Sequence, residues 1–140
     1  MSELLAAHAA ATWFMVGVVW IAQGVMYPLF ASVGGQGFAA YHRFHTTRIA
    51  WVIGPVLLVE GASAAALPLL LPESRRAIAW AGLGLLVAVW ALTAFVLVPL
   101  HRQLSRGFDA SAHRAMLRWN AVRTAAWTLR GGVAAGLLVF

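Results

Sequence analysis

The sequence contains no cysteine and no lysine, and only four of its 140 residues are acidic. Without cysteine, a disulfide-stabilised secreted module and thiol-based redox chemistry are both excluded. Charged residues make up 10% of the chain and hydrophobic residues 62%, whereas an ordinary soluble domain is roughly 25% charged. This balance excludes a soluble globular enzyme and a disordered segment.

The sequence also lacks the glycine-rich motifs that cradle phosphate groups and the GxSxG motif that carries a serine nucleophile. All the basic residues are arginines, and the isoelectric point is near 11.6. The arginines stand mainly at the ends of long apolar stretches, where they suit lipid headgroups rather than nucleic acid. The sequence therefore predicts that the partner of this protein is the lipid bilayer and that it does not bind nucleic acid.

Four long apolar stretches predict four transmembrane helices. A helix needs about 20 mostly apolar residues to cross the bilayer core, and the stretches cover residues 9–30, 39–67, 77–100 and 115–139. No positively charged segment of the kind found in signal peptides precedes the first. Because the connections are short, successive helices are antiparallel. We therefore predict an all-α, integral membrane up-down-up-down four-helix bundle in which residues 1–140 form a single transmembrane domain.

The arginines predict the orientation of this bundle. Two of them, Arg75 and Arg76, lie in the second connection. Six others flank the first and third connections, on what we call the arginine-rich side: Arg43, Arg48, Arg102, Arg106, Arg114 and Arg118. The side with more arginines is normally the cytoplasmic one. The sequence thus predicts a multi-pass protein of the inner (plasma) membrane, with both termini outside, in the periplasm of a bacterium.

Two charges of opposite sign lie past the midpoints of the second and fourth stretches, Glu60 and Arg130. A charge near the bilayer centre costs at least about 2.5–3.5 kcal/mol on insertion scales. Since their depths agree, we expect a Glu60–Arg130 ion pair within the membrane. Two interpretations of this pair stay open: a structural clamp between helices, or a proton or ligand site.

Polar residues of the fourth stretch share one face of a helix. Asn120, Arg123, Trp127 and Arg130 are spaced 3, 4 and 3 residues apart, which places them on one side of the helix. A polar stripe is unstable against lipid, so we expect this face to lie inside the bundle.

The first stretch carries a similar face, whose spacing of 3, 4, 3 and 4 residues is typical of a seam packed against other helices. Its members are Trp13, Val16, Trp20, Gln23 and Tyr27. Gln23 and Tyr27 approach the arginine-rich side and, together with Trp127, are the candidate substrate-binding residues. Gln23 has a second interpretation, as an amide that joins neighbouring helices.

Four histidines are predicted to lie at the arginine-rich side. His42 and His45 are three residues apart on one helix face, while His101 and His113 flank the third connection. Two histidines at this spacing bind a metal when one or two further ligands join them. His42, His45 and His101 are the metal candidates, and haem, iron or copper are the cofactors that they would suit. The alternative is a polar network without a cofactor.

Several motifs resemble those of a group of small bacterial four-helix membrane proteins: QGVMYPLF (residues 23–30), YHRFH (41–45), VPLH (98–101) and WNAVRT (119–124). The chain is similar in turn to the anthrone-oxygenase-like family, through the matching positions Pro99, His101, Asn120 and Arg123. This resemblance implies a membrane protein that oxidises a phenolic or polycyclic ketone-type substrate with molecular oxygen. Met26 departs from the pattern, because many relatives have a histidine there, and the departure weakens the case for a metal.

Three functions are compatible with these features. The first is an oxygenase-like oxidoreductase acting on a lipophilic aromatic substrate, with a histidine as base or metal ligand and two residues that stabilise an oxyanion. Its candidate catalytic residues are His42, His45, His101, Asn120 and Arg123. The second is a carrier or a quinone- or small-molecule-binding module, and the third is a structural accessory subunit. Alanine- and glycine-rich helix faces also permit a homo-oligomer.

Overall fold

The chain folds into four long helices. The computed structural model describes residues 1–139, and every regular element in this range is helical, so the predicted all-α class is confirmed. The helices are α1 (Ser2–Ser32), α2 (Gly35–Leu70), α3 (Glu73–Leu104) and α4 (Ala110–Val139). Contacts join α1 to α2 and α4, and α3 to the same two helices.

Three of these helices, α1, α2 and α3, are long and apolar enough to cross a membrane. Within the described residues, α4 does not belong to this group, although the sequence predicts a fourth span there. Its composition explains the difference, because three arginines interrupt the apolar stretch: Arg118, Arg123 and Arg130.

The helices α1 and α3 continue past a proline near their ends. Pro28 and Pro99 each follow a π-helical segment by two residues, and the segments are Ala22–Met26 in α1 and Thr93–Leu97 in α3. A proline has no backbone N–H, and its ring crowds the carbonyl four residues earlier. A wider π turn gives such a ring more room. Pro55 and Pro68 lie inside α2 without a π segment.

The two halves of the chain share this arrangement. In each half the proline precedes a His-Arg pair by 14 residues, Pro28 before His42 and Pro99 before His113. The ring of His42 lies 5.2 Å from that of His101, and the ring of His113 lies 6.4 Å from that of Phe30. Phe30 and His101 are both two residues beyond their proline. The halves therefore place corresponding residues at corresponding contacts, with a histidine in α3 where α1 has a phenylalanine.

Buried apolar side chains form three clusters along the bundle. One, around Phe30, Phe38 and Met116, lies at the arginine-rich side. The middle cluster surrounds Trp127. The third lies near the N-terminus and includes Leu5, Leu67, Leu71, Ala79 and Leu137. All four helices contribute to this apolar core, and the large side chains on the outside, such as Trp51 and Phe95, are those that lipid would cover.

Helices α2 and α3 approach closely at Gly61. A Cβ at this position would lie 2.7 Å from Cη2 of Trp90, so we expect Gly61→Ala to displace the indole and destabilise the protein by about 1–3 kcal/mol. Gly84→Ala is the matched control, because a Cβ added there would meet no atom within 4 Å and alanine favours the helix. Thermal unfolding in detergent measures both. Equal melting temperatures would contradict the close packing.

Asp109 caps the start of α4. The backbone N–H of Ala112 donates to Asp109 Oδ1 at 2.7 Å, and this bond holds the pKa of the carboxyl below its ordinary value of 3.8. A folded-state pKa lowered in this way adds stability that is fully present above pH 3.8 and is lost as the pH falls through the folded-state pKa.

We therefore expect stability between pH 5 and pH 3 to fall more steeply in the wild type than in Asp109→Asn, which caps a helix without titrating. Chemical unfolding at a series of pH values measures the difference. Identical pH profiles would show that the ionised carboxylate adds nothing to the cap.

Candidate functional site

A cavity of about 430 Å³ lies between the four helices, and its wall is mainly apolar. It extends from the middle cluster, where Met15, Val89 and Trp127 line it, to Arg102 and Ser105 at the arginine-rich side. Ligand sites in proteins commonly have volumes of about 300–1,000 Å³ and mostly apolar walls with a few polar groups. This cavity has those proportions.

The two π-helical segments border the cavity. Ala22 and Met26 of the first segment and Thr93 of the second are part of its wall. A π turn widens the helix locally, and such turns are frequent at functional sites. The two π-helical segments therefore help to shape the wall of the cavity.

Four polar residues at one end of the cavity form a chain of hydrogen bonds. Arg123 Nη2 donates to Tyr27 Oη at 3.3 Å, and Tyr27 Oη lies 3.2 Å from His101 Nε2. His101 Nδ1 lies 3.0 Å from His42 Nε2. The chain thus joins α4, α1, α3 and α2, and all four side chains line the cavity. We call it the Arg–Tyr–His–His chain.

The guanidinium of Arg123 favours one direction for the protons in this chain. Because it only donates, Tyr27 Oη accepts from it and keeps its own hydrogen for His101 Nε2. His101 then donates through Nδ1 to His42 Nε2, and His42 carries its hydrogen on Nδ1, a buried atom with no partner among the described residues. The opposite direction would leave the buried Tyr27 hydroxyl hydrogen unpaired as well, at a further cost of about 1–3 kcal/mol.

His45 lies in the same wall, outside the Arg–Tyr–His–His chain. Its ring contacts Phe30 at 5.3 Å and Tyr27 at 6.2 Å between centroids, and neither of its nitrogens makes a hydrogen bond with the described part of the protein. The hydroxyl of Thr46 is already used, because it donates to backbone carbonyls of α2. His45 therefore offers the cavity a free imidazole.

Gln23 and Asn120 bind each other instead of the cavity. Asn120 Nδ2 donates to Gln23 Oε1 at 2.7 Å, and neither residue is among the described residues that line the cavity. This position fits the second interpretation of Gln23, an amide that joins α1 to α4. The structure thus separates these two residues from Tyr27, His42, His45, His101, Arg123 and Trp127, which it brings together around one space.

His113 lies outside the cavity wall and stabilises the position of Tyr27. Its Nε2 donates to the carbonyl of Tyr27 at 2.7 Å, since a carbonyl only accepts. The bond ties α4 to the turn that carries the Tyr27 phenol. The sequence indicates that His113 lies at this side of the bundle, but a contact to a backbone atom leaves no pattern in the sequence.

The predicted metal arrangement differs from the geometry around His42 and His101. His42 Nε2 and His101 Nδ1 are hydrogen-bonded to each other, so these two nitrogens do not point towards a shared metal position. Among residues 1–139, no group of three or more His, Cys, Asp or Glu side chains is arranged to hold a metal ion.

The structure brings Glu60 and Arg130 together in a second polar cluster, further along the bundle. Arg130 Nε lies 2.9 Å from Glu60 Oε1, and both side chains are almost completely buried. Thr12 Oγ1 donates to the same carboxylate oxygen at 2.8 Å. Arg130 also donates to the carbonyl of Gly82. The pair therefore has contacts on all four helices.

His8 and Ser63 extend this cluster, and the sequence-based prediction missed them, as it did Thr12. Ser63 Oγ donates to the carbonyl of Glu60 at 3.0 Å, so His8 Nδ1 donates to Ser63 Oγ at 2.8 Å. A signal was present, because His8 lies one helical turn before Thr12, and Ser63 lies one turn after Glu60. Polar residues one helical turn from a buried charge share its helix face, where they can supply the hydrogen bonds that burial requires.

Removing one member of the ion pair leaves the other charge buried without a partner. We expect Glu60→Gln and Arg130→Met each to destabilise the protein by about 3–5 kcal/mol. The double variant buries no unpaired charge, so its loss is smaller than the sum of the two single losses. Denaturant unfolding of the four proteins in detergent measures the coupling. Strictly additive losses would show that the two groups do not interact.

Comparison of the chain with protein-family models, with curated protein sequences and with solved structures gives no match. Evidence for a function therefore comes from the residues of this chain. The features that carry it are the apolar cavity, the Arg–Tyr–His–His chain and the free imidazole of His45.

Proposed function

We propose that this chain is an integral membrane protein that binds a lipophilic small molecule in its central cavity. The observation that carries the proposal is the combination of a mainly apolar wall with a polar end, where His45 is free. A ligand from the bilayer would replace lipid contacts with similar contacts in the cavity. The polar end would then supply the specificity.

The proposal includes α4 as a fourth span of an up-down-up-down bundle. Two of its four arginines have an environment that tolerates them, because Arg130 is paired with Glu60 and Arg123 lines the cavity. Arg114 and Arg118 are exposed nearer the start of the helix, where long side chains reach the headgroups. Helix α4 also packs against α1 and α3, which themselves are apolar enough to span.

The excess of arginines around the first and third connections supports an orientation with that side in the cytoplasm. In this orientation both termini lie outside, and the polar end of the cavity lies towards the cytoplasm. We propose the bacterial inner membrane as the location.

An oxygenase-like oxidoreductase is the second candidate, and the free imidazole of His45 favours it. It shares the cavity wall with Arg123 and with the Tyr27–His101 hydrogen bond. An imidazole that accepts a proton from an enolisable substrate, beside a guanidinium that stabilises the resulting oxyanion, is an arrangement suited to such chemistry. The resemblance to the anthrone-oxygenase-like family points the same way.

Ligand binding is tested by quenching of tryptophan fluorescence with 1,4-naphthoquinone, a neutral lipophilic aromatic molecule. Trp90 and Trp127 line the cavity, so we expect saturable quenching. Val18→Phe narrows the cavity and should weaken binding by about tenfold or more, whereas Val25→Phe changes an exposed residue of α1 outside the cavity wall. Quenching that does not saturate, or that is equal in the two variants, would contradict the proposal.

Oxygen uptake separates the two candidates. An oxygenase would convert 1,8-dihydroxyanthrone into the anthraquinone, with one atom of O₂ entering the product and the other leaving as water. We would expect an oxygen electrode to record uptake that His45→Ala and His101→Phe abolish without loss of folding. Binding without such uptake would leave a carrier or binding module as the function.

A further inference from the structure

The charged side chains in the cavity wall indicate which class of ligand the cavity would bind. Arg123 is half-buried in the cavity wall, where its guanidinium contacts the neutral hydroxyl of Tyr27. Among residues 1–139, the pair of Glu60 and Arg130 is the one ion pair. Arg123 therefore has no carboxylate within this described range to balance its charge.

Each acidic residue of the chain is accounted for elsewhere. Glu60 is bound to Arg130, and Asp109 caps α4. Glu3 and Glu73 adjoin the cluster of Leu5 and Leu71, at the opposite end of the bundle from the Arg–Tyr–His–His chain. A charge in an apolar environment is normally paired, so the half-buried guanidinium of Arg123 favours an anionic group supplied by a ligand.

The contrast with Arg130 shows that the arrangement is specific. Arg123 and Arg130 are two helical turns apart on α4, and Glu60 lies opposite the second of them. Two turns before Glu60 on α2, at the depth of Arg123, the residue is Ile53, which lines the cavity. Helix α2 thus carries the counter-ion of Arg130, whereas the residue two turns earlier, which lines the same cavity as Arg123, is apolar.

We propose that the cavity binds a single-chain lipophilic carboxylate, whose anionic head pairs with Arg123 and whose alkyl chain occupies the apolar part. This inference rests on the proposed binding function and names its ligand class. Arginine matches a carboxylate by two parallel hydrogen bonds. Arg102 also lines this end of the cavity, but it is exposed, so water and salt screen its charge. The hydroxyls of Thr93 and Ser105 already donate to backbone carbonyls, so the arginines and His45 are the donors available to the head.

The test compares 11-bromoundecanoate with its methyl ester, because bromine quenches the tryptophans in the cavity wall and the ester removes only the charge. With full-length protein in detergent, we expect the carboxylate to bind at least about tenfold more tightly than the ester. Arg123→Met should abolish this preference. A matched pair of variants sharpens the test: Ile53→Glu supplies an internal counter-ion and should also abolish it, whereas Ile53→Gln should keep it.

The outcomes separate the two proposals. Equal binding of acid and ester, or a preference that survives in Arg123→Met, overturns the carboxylate assignment while leaving lipophilic binding intact. Failure of both probes and of 1,4-naphthoquinone to bind overturns the proposed function as well. Phosphatidylglycerol with brominated acyl tails is a third probe. If it binds as strongly as the single-chain acid, the single-chain assignment is overturned in favour of a membrane phospholipid.

Discussion

The buried ion pair of Glu60 and Arg130 is the interaction on which the packing of all four helices depends. Glu60 belongs to α2 and Arg130 to α4, while Thr12 of α1 donates to the carboxylate and the carbonyl of Gly82 in α3 accepts from the guanidinium. Neither charge is stable alone in an apolar interior. A relative shift of any helix would break a bond to this pair, so the pair fixes the register in which the cavity forms between the helices.

The sequence predicts this pair correctly in position, because charge and depth along a helix are properties of the chain alone. It predicts the seam of α1 in part. Val16 and Tyr27 are buried, whereas Trp13 and Trp20 are 48% and 56% exposed, although both indoles still pack against α4. The π segment between Trp20 and Tyr27 adds a residue to one turn and rotates the helix after it. A regular spacing cannot anticipate that rotation.

The sequence likewise predicts only part of the candidate site. Helix periodicity and topology bring His42, His101 and Arg123 to one end of the bundle, and the structure has them there. Which polar groups pair is decided by distances of a few tenths of an ångström, and periodicity has no such resolution. Asn120 has the spacing of a cavity residue, yet its amide binds Gln23. The spacing of residues along the sequence therefore identifies the region of the site, whereas side-chain packing decides which polar groups form hydrogen bonds with each other.

The two halves of the chain explain why the Arg–Tyr–His–His chain occurs once rather than twice. Where the second half has His101 and Arg123, the first half has Phe30 and Val52 at the corresponding positions. Tyr27 of the first half corresponds likewise to Val98. The histidines shared by both halves consequently have different partners, since His42 bonds to His101 while His113, facing Phe30, bonds to a backbone carbonyl. Apolar residues at the positions that correspond to Arg123, Tyr27 and His101 concentrate the hydrogen-bonding groups, and the unbalanced charge of Arg123, on one side of the bundle.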